Sequence, residues 1–229
     1  MISGLLKLYK KMDQLIFKFP FSKKYYEQDF FVSSNNFSAY KLIESWPNWP
    51  GKWLNIFGHA GSGKTHLAKI LEKKIDKIKL IEAENINNKI VEDLNSLDCL
   101  IIDNFDNNID EKLLYSIFNQ SKQLENYILI NSITSIKDLK INLEDLKSRI
   151  RSFLFIGIEL PTDDLLKVII SKTLSDNQIN INPKISDFII NNVERSYDKM
   201  FKFLKDLDEL SLSTGKSINI NLIKKVLDK

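Results

Sequence analysis

Gly58-His59-Ala60-Gly61-Ser62-Gly63-Lys64-Thr65 is the stretch on which the fold turns. It fits G-x-x-x-x-G-K-[ST] at every position. It follows a short apolar run, Lys52 to Phe57, and opens a helical pattern from Lys64 to Lys74. Strand, glycine-rich loop and helix in that order make a phosphate-binding loop. Its glycines let backbone N–H groups curl around phosphate oxygens, and the helix N-terminus adds positive potential. The chain has seven glycines, and three of them, Gly58, Gly61 and Gly63, fall here. With Ser62 they line the expected cradle. Lys64 should reach the β- and γ-phosphates of a nucleotide, and Thr65 should hold Mg²⁺ through its hydroxyl. His59 reads as a loop filler, neither ligand nor base.

Working outward, strand patterns alternate with helical ones. Asn35 to Trp46 reads as a helix capped by Ser33-Ser34, closed by the turn Trp46-Pro47-Asn48-Trp49-Pro50-Gly51. Beyond the loop come a strand at Lys79 to Ala83 and a short helix at Asn88 to Leu97. Cys99-Leu100-Ile101-Ile102 is a continuous apolar run, the pattern of a strand buried on both faces. A helix at Glu111 to Leu124, a strand at Tyr127 to Ile130, a helix at Leu143 to Ile150 and a strand at Phe153 to Glu159 follow. From Asp163 the periodicity is helical only, with breaks near Asn180 to Pro183, at Arg195-Ser196 and from Gly215 to Asn219. The expected fold class is α/β, a P-loop domain with a central parallel sheet flanked by helices, plus a small C-terminal helical lid domain. The expected boundaries are a flexible segment over 1–24, the α/β domain over 25–160 and the lid over 161–229.

Composition bounds the rest. The chain has 229 residues, 33 Lys+Arg against 30 Asp+Glu, 43% hydrophobic residues and 10% aromatics. That excludes a disordered chain and allows one large domain or two small ones. No apolar run approaches the ~20 residues of a membrane span. A net charge of +3 with acids and bases interleaved argues against strong direct binding to DNA. One cysteine, Cys99, and two histidines, His59 and His66, leave no intramolecular disulfide and make a zinc site unexpected. Cys99 reads as a core residue. The expectation is a protein of a reducing compartment, the cytoplasm.

The second signature is Cys99-Leu100-Ile101-Ile102-Asp103. An acid ending a buried strand beside a phosphate loop can bind a magnesium-bound water. Hydrolysis also needs a group that orients the attacking water. Its usual place is the next residue, here Asn104, and an amide cannot accept a proton as a carboxylate can. Asp106 lies close but would point elsewhere if the strand has ended. Weak intrinsic turnover is therefore expected. The strand ending Ile130-Asn131-Ser132 could bring a polar group to the γ-phosphate, with Asn131 preferred over Ser132.

These residues together resemble the AAA+ module of the bacterial replication initiator DnaA. The resemblance covers about residues 29 to 213. Gly63-Lys64-Thr65-His66-Leu67 and Leu146-Lys147-Ser148-Arg149 are its selective parts, and Asp29 to Asn36 is similar to the segment that lies over the adenine. Asp103 lies only 38 positions after Thr65, too short for the helical insertion that the initiator uses on DNA, and only 34 residues follow Arg195. The chain therefore more closely resembles the Hda group of DnaA-related regulators. The resemblance implies ADP or ATP with Mg²⁺ as cofactors, and His66 among the nucleotide-binding residues. It implies that Arg149 is an arginine finger acting in trans on a partner's nucleotide, with Arg151 a nearby competitor. A guanidinium stays charged and forks onto phosphate oxygens, which suits that task. From the residues alone, Arg149 would be a solvated arginine on a charged helix. Arg195 would reach the bound nucleotide from the lid, against the plainer reading of a surface pair with Glu194.

The N-terminal segment adds Gln14-Leu15-Ile16-Phe17-Lys18-Phe19, an extended apolar peptide before Pro20. It could pack on its own domain or enter pockets on a partner. It is similar to the Q-L-x-L-x-L peptide that binds the DNA polymerase III sliding clamp, the β subunit, with Phe in place of Leu at two positions. Gln14 would bond a pocket rim, and Leu15, Phe17 and Phe19 would be the anchors. The implied function is negative regulation of replication initiation: the clamp recruits the protein, which promotes ATP hydrolysis by DnaA. DNA would be contacted only through the clamp. The protein would be nucleoid-associated and could form a homodimer. Translation could begin at Met1 or Met12. The alternative is a helicase-loader or transposition-type AAA+ ATPase, against which Asn104 and the clamp-like peptide both count.

Overall fold

A computed structural model describes residues 27–106, 108–176, 179 and 181–228. The clamp-like peptide, Gln14 to Phe19, lies outside them. Five parallel strands form one sheet: β1 (Trp53–Gly58), β2 (Ile78–Glu82), β3 (Cys99–Phe105), β4 (Tyr127–Ser132) and β5 (Leu154–Ile158). Their order across the sheet is β2-β3-β4-β1-β5. Helices connect them: α1 (Phe37–Glu44) before β1, α2 (Lys64–Glu72), α3 (Lys89–Asp93), α4 (Glu111–Gln123) and α5 (Glu144–Ile150). Parallel strands need such crossovers, and helices then cover both faces, which is why the strands read as apolar runs.

Strand alternation splits the buried side chains into two cores. Leu54, Ile56, Ile101 and Leu129 pack with α1 and α2 through Ile43, Leu67, Ala68 and Leu71. Leu100, Ile102, Ile128 and Ile130 face the other way, against Leu114, Ile117 and Phe118 of α4 and Leu146 and Ile150 of α5. Trp53, Phe118 and Phe153 meet there with ring centroids 5.2 to 5.6 Å apart.

Chain contacts divide the protein into two units. One runs to Leu165 and takes in Arg195–Asp198; the other comprises Leu166–Glu194 and Lys199 onward. The second unit contains most of α6 (Asp163–Asp176) and α8 (Tyr197–Thr214), with α7 (Pro183–Asn192) and α9 (Ile220–Leu227). Its core is drawn from all four: Leu166, Ile170 and Leu174; Ile189 and Ile190; Met200, Phe203, Leu204 and Leu207; Leu222, Ile223 and Val226. These recur at three- and four-residue spacing, one apolar stripe per helix. Two of the three expected breaks are helix caps. Asn182 Oδ1 accepts from Lys184 N with Pro183 in the first turn, and Asn219 Oδ1 accepts from Leu222 N.

Several expectations need correction. Ser33-Ser34 does not cap α1. The helix begins at Phe37, and Asn36 is spent on the preceding turn, accepting from Ser33 N and donating to Phe31 O. The short helix expected at Asn88 to Leu97 is present as α3 (Lys89–Asp93) continued by a 3₁₀ turn, Leu94–Ser96. Strands β3 and β4 run on to Phe105 and Ser132, so Asn104, Asn131 and Ser132 lie within strands.

The apolar run at Lys52 to Phe57 hides a buried polar residue that periodicity does not flag. Asn55 is fully buried in β1. Its Nδ2 donates to Ile130 O and to Ser132 Oγ, each at 2.9 Å, and its Oδ1 accepts from Ile136 N at 3.1 Å. The side chain thus pins the loop after β4. Asn55→Ala should destabilise the fold by about 1–3 kcal/mol, because Ile136 N–H loses its partner in a dry interior. Denaturant unfolding checks this, and a midpoint equal to wild type would refute it.

Candidate functional site

The phosphate loop occupies the C-terminal edge of the sheet, between β1 and α2, where ligands bind in parallel α/β sheets. Two of its glycines have a geometric reason. Gly63 has φ +95°, and a Cβ there would stand 2.9 Å from Phe30 Cε2. A Cβ on Gly58 would stand 2.7 Å from Ile158 O of β5. Phe30, in the segment similar to the adenine cover, lies against the loop. It stacks on Tyr40 at 5.7 Å and meets the His66 ring edge-on at 5.3 Å. His66 is therefore an aromatic neighbour of Phe30 in the first turn of α2.

Lys64 folds back into its own loop. Nζ donates to Gly58 O at 2.6 Å, His59 O at 2.9 Å and Ser62 Oγ at 3.4 Å. The residue is buried, and burial pushes its amine below the usual lysine range, while the Asp103 carboxylate pulls it partly back. His59 and Ser62 take part through these two oxygens. Thr65, half-buried, follows at the start of α2.

Asp103 is fully buried in β3. Its Oδ1 accepts from Asn131 Nδ2 of β4 at 2.9 Å. Asp103 Oδ2 and Asn131 Oδ1 are buried without a hydrogen-bond partner. Such acceptors are costly unless something supplies donors. A magnesium-bound water suits an orphaned carboxylate oxygen, so the residues present fit the ion. Among the described residues no cluster of three or more His, Cys, Asp or Glu could hold a metal alone. A Mg²⁺ ion on Thr65 and Asp103 would take its other ligands from phosphate and water. Between Asn131 and Ser132, alternation separates the two. Asn131 faces Asp103, whereas Ser132 Oγ is occupied by Asn55 and by Thr134 O, at 2.9 and 2.6 Å.

After Asp103 the β3–β4 register slips, with an irregularity between Ile102 and Phe105. Asn104 sits in that bulge at φ +52°, exposed, and its Nδ2 donates to Glu82 Oε2 of β2 at 2.8 Å. Asp106 is occupied locally, accepting from Asn108 N and Nδ2 at 3.0 and 2.9 Å. A cleft of about 510 Å³ opens at this edge, lined by Glu82, Asn104, Asp106, Asp110 and Leu113 among others.

Arg149 on α5 is half-buried, not the solvated arginine its charged neighbours suggest. Its Nη2 donates to Asn119 Oδ1 of α4 at 2.7 Å. The start of α5 is held by the same helix. Glu111 accepts from Asn142 N and Leu143 N, and these bonds lower its carboxyl below the usual glutamate range. Arg151, the competitor, is exposed. Arg195 pairs with Asp163 at 2.6 Å rather than with Glu194, and both partners are largely exposed. The next residues are fixed: Tyr197 is buried, its hydroxyl accepts from Asn35 Nδ2, and burial pushes that phenol up to about 12.

A β2-β3-β4-β1-β5 parallel sheet with this loop between β1 and α2, and a helical unit after it, is the fold of an AAA+ module. Residues 164–227 match the family model "Hda, lid domain". Initiator DnaA from Borreliella burgdorferi is 27% identical, with 99% of this chain and 52% of that protein covered. DnaA from Buchnera aphidicola subsp. Cinara cedri is 29% identical, with 97% and 57% covered. The chain thus spans about half the length of the curated relatives it matches. Domain III of Thermotoga maritima DnaA superposes with TM-score 0.73 at 21% identity, covering 92% of this chain and 98% of that one. AMPPCP-bound DnaA from Aquifex aeolicus gives TM-score 0.68 at 22% identity, covering 85% and 68%. The chain therefore has the fold of an AAA+ module and is similar in sequence to the DnaA initiators. Among the described residues no helix is long and apolar enough to cross a membrane.

Proposed function

We propose that this protein is an Hda-type regulator of the replication initiator. It holds an adenine nucleotide in the phosphate loop, docks on the DNA polymerase sliding clamp through Gln14 to Phe19, and promotes ATP hydrolysis by DnaA through Arg149. The observation that carries the regulatory reading is the match of residues 164–227 to the Hda lid. The nucleotide reading is supported by the loop geometry, by the orphaned Asp103 oxygen and by the AMPPCP bound to the Aquifex relative.

The residues divide the work. Backbone N–H groups of Gly61 to Thr65 cradle phosphates at the start of α2. Lys64 exchanges its three loop oxygens for phosphate oxygens. Thr65 and Asp103 hold Mg²⁺, which when bound neutralises phosphate charge, and Asn131 reaches the γ-phosphate while orienting Asp103. Arg195 is free to turn to the nucleotide, because an exposed ion pair such as that with Asp163 contributes about 1 kcal/mol or less. With Asn104 in place of a carboxylate, the nucleotide is retained more than it is turned over, which favours ADP as the working ligand.

The experiment is ATP hydrolysis by the initiator with clamp-loaded DNA, with and without this protein. Stimulation that requires the clamp is expected. Gln14→Ala with Leu15→Ala should abolish clamp binding and spare nucleotide binding. Clamp affinity retained in that double variant would refute the docking assignment. No stimulation by the wild type would favour a helicase-loader type of ATPase instead.

A further inference from the structure

The water-orienting group missing from position 104 has a counterpart one strand away. Glu82 ends β2, and its Cα is the register partner of Asp103. Paired residues on neighbouring strands point to the same face. The cores agree: Leu80 and Ile101 lie on the α2 side, Ile81 and Ile102 on the other. Glu82, Asp103 and Asn131 therefore make one row on the α2 side of the sheet's C-terminal edge. Adjacent strands lie about 4.8 Å apart. The left-handed Asn104 sends its amide to Glu82 Oε2 at 2.8 Å. An amide donor holds a carboxylate in place without neutralising it. The neighbouring acid, Asp106, has both oxygens taken by Asn108.

We propose that Glu82 orients the attacking water in slow hydrolysis of a nucleoside triphosphate by this chain, with Asn104 as its positioning residue. The inference rests on the nucleotide-site reading above. The water oxygen forms a bond to the γ-phosphorus as the bond to the β–γ bridging oxygen breaks. That electron pair leaves with the nucleoside diphosphate. The water's proton passes to the Glu82 carboxylate and then to solvent, and inorganic phosphate is the second product. Carboxylate and amide have exchanged places relative to a site with its acid directly after Asp103, so turnover survives at a reduced rate.

The test is single-turnover ATP hydrolysis with Mg²⁺ by the full chain, with ADP and ATP affinities measured in parallel. Glu82→Gln should slow hydrolysis on the order of a hundredfold while affinities stay within about twofold. Asn104→Ala should slow it less, again without loss of affinity, which a merely structural role would not produce. Asp106→Asn should match the wild type. The exchanged variant Glu82→Asn with Asn104→Glu should hydrolyse at least as fast as wild type, and it guards against a folding defect in the single variant. Wild-type hydrolysis retained in Glu82→Gln overturns the proposal. So does a wild type that binds ATP and never cleaves it, which would leave the nucleotide site standing. A wild type that binds neither nucleotide overturns both readings.

Discussion

Lys64→Ala is expected to empty the phosphate loop. The ammonium is buried and held by Gly58 O, His59 O and Ser62 Oγ. Burial already lowers its pKa, so a cation is being kept where solvent does not support it. That arrangement stabilises a partner more anionic than three neutral oxygens, and a polyphosphate is such a partner. Each charge-assisted hydrogen bond contributes about 1.5–3 kcal/mol. Losing two of them weakens binding on the order of a hundredfold or more. The fold should survive, since alanine removes a buried charge and the loop carbonyls gain access to water. Nucleotide content after purification and titration with a fluorescent ADP analogue are the readouts. A Lys64→Ala protein with wild-type nucleotide content would refute the loop assignment.

The phosphate loop was legible in the sequence because its chemistry is local. Eight consecutive residues carry the turn, the donors and the cation. The buried strands were legible for a similar reason: Cys99 to Ile102 and Tyr127 to Ile130 are apolar on both faces, as a parallel sheet under two helix layers requires. What stayed hidden depends on residues far apart in sequence. Asn55 reads as an interruption in a strand until Ile136 and Ser132 fold back onto it. The choice between Asn131 and Ser132 turns on which face each presents, and that is fixed only once β4 is known to continue to Ser132. Asn104 reads as a catalytic deficiency. Its meaning changes only with the β3 bulge and with Glu82, 22 residues earlier, as its acceptor. Single residues at strand edges take their roles from neighbouring strands, and periodicity carries no information about those neighbours.

Arg149→Ala is expected to remove stimulation of the initiator while leaving this protein's own nucleotide and clamp binding intact. The two halves of that outcome separate a finger in trans from a residue of the local site. Arg149 lies at the end of α5, in the turn before Arg151, and Asn119 accepts from one of its terminal nitrogens. A guanidinium has five N–H donors, so one tether fixes its direction and leaves others for phosphate oxygens. Glu111 holds the entry to the same helix through Asn142 N and Leu143 N, so α4 sets both ends of α5. A finger so oriented meets its target with little ordering left to do. Supplying one is worth about 10³ to 10⁵ in the partner's rate. Stimulated hydrolysis should therefore fall on the order of a thousandfold with Arg149→Ala. Arg149→Lys should not restore it, because an ammonium cannot reproduce the planar fork. Arg151→Ala, at an exposed position, is the control and should retain stimulation. If Arg149→Ala stimulates as well as wild type and Arg151→Ala does not, the finger is Arg151, and Asn119 holds Arg149 only to fasten α5 to α4.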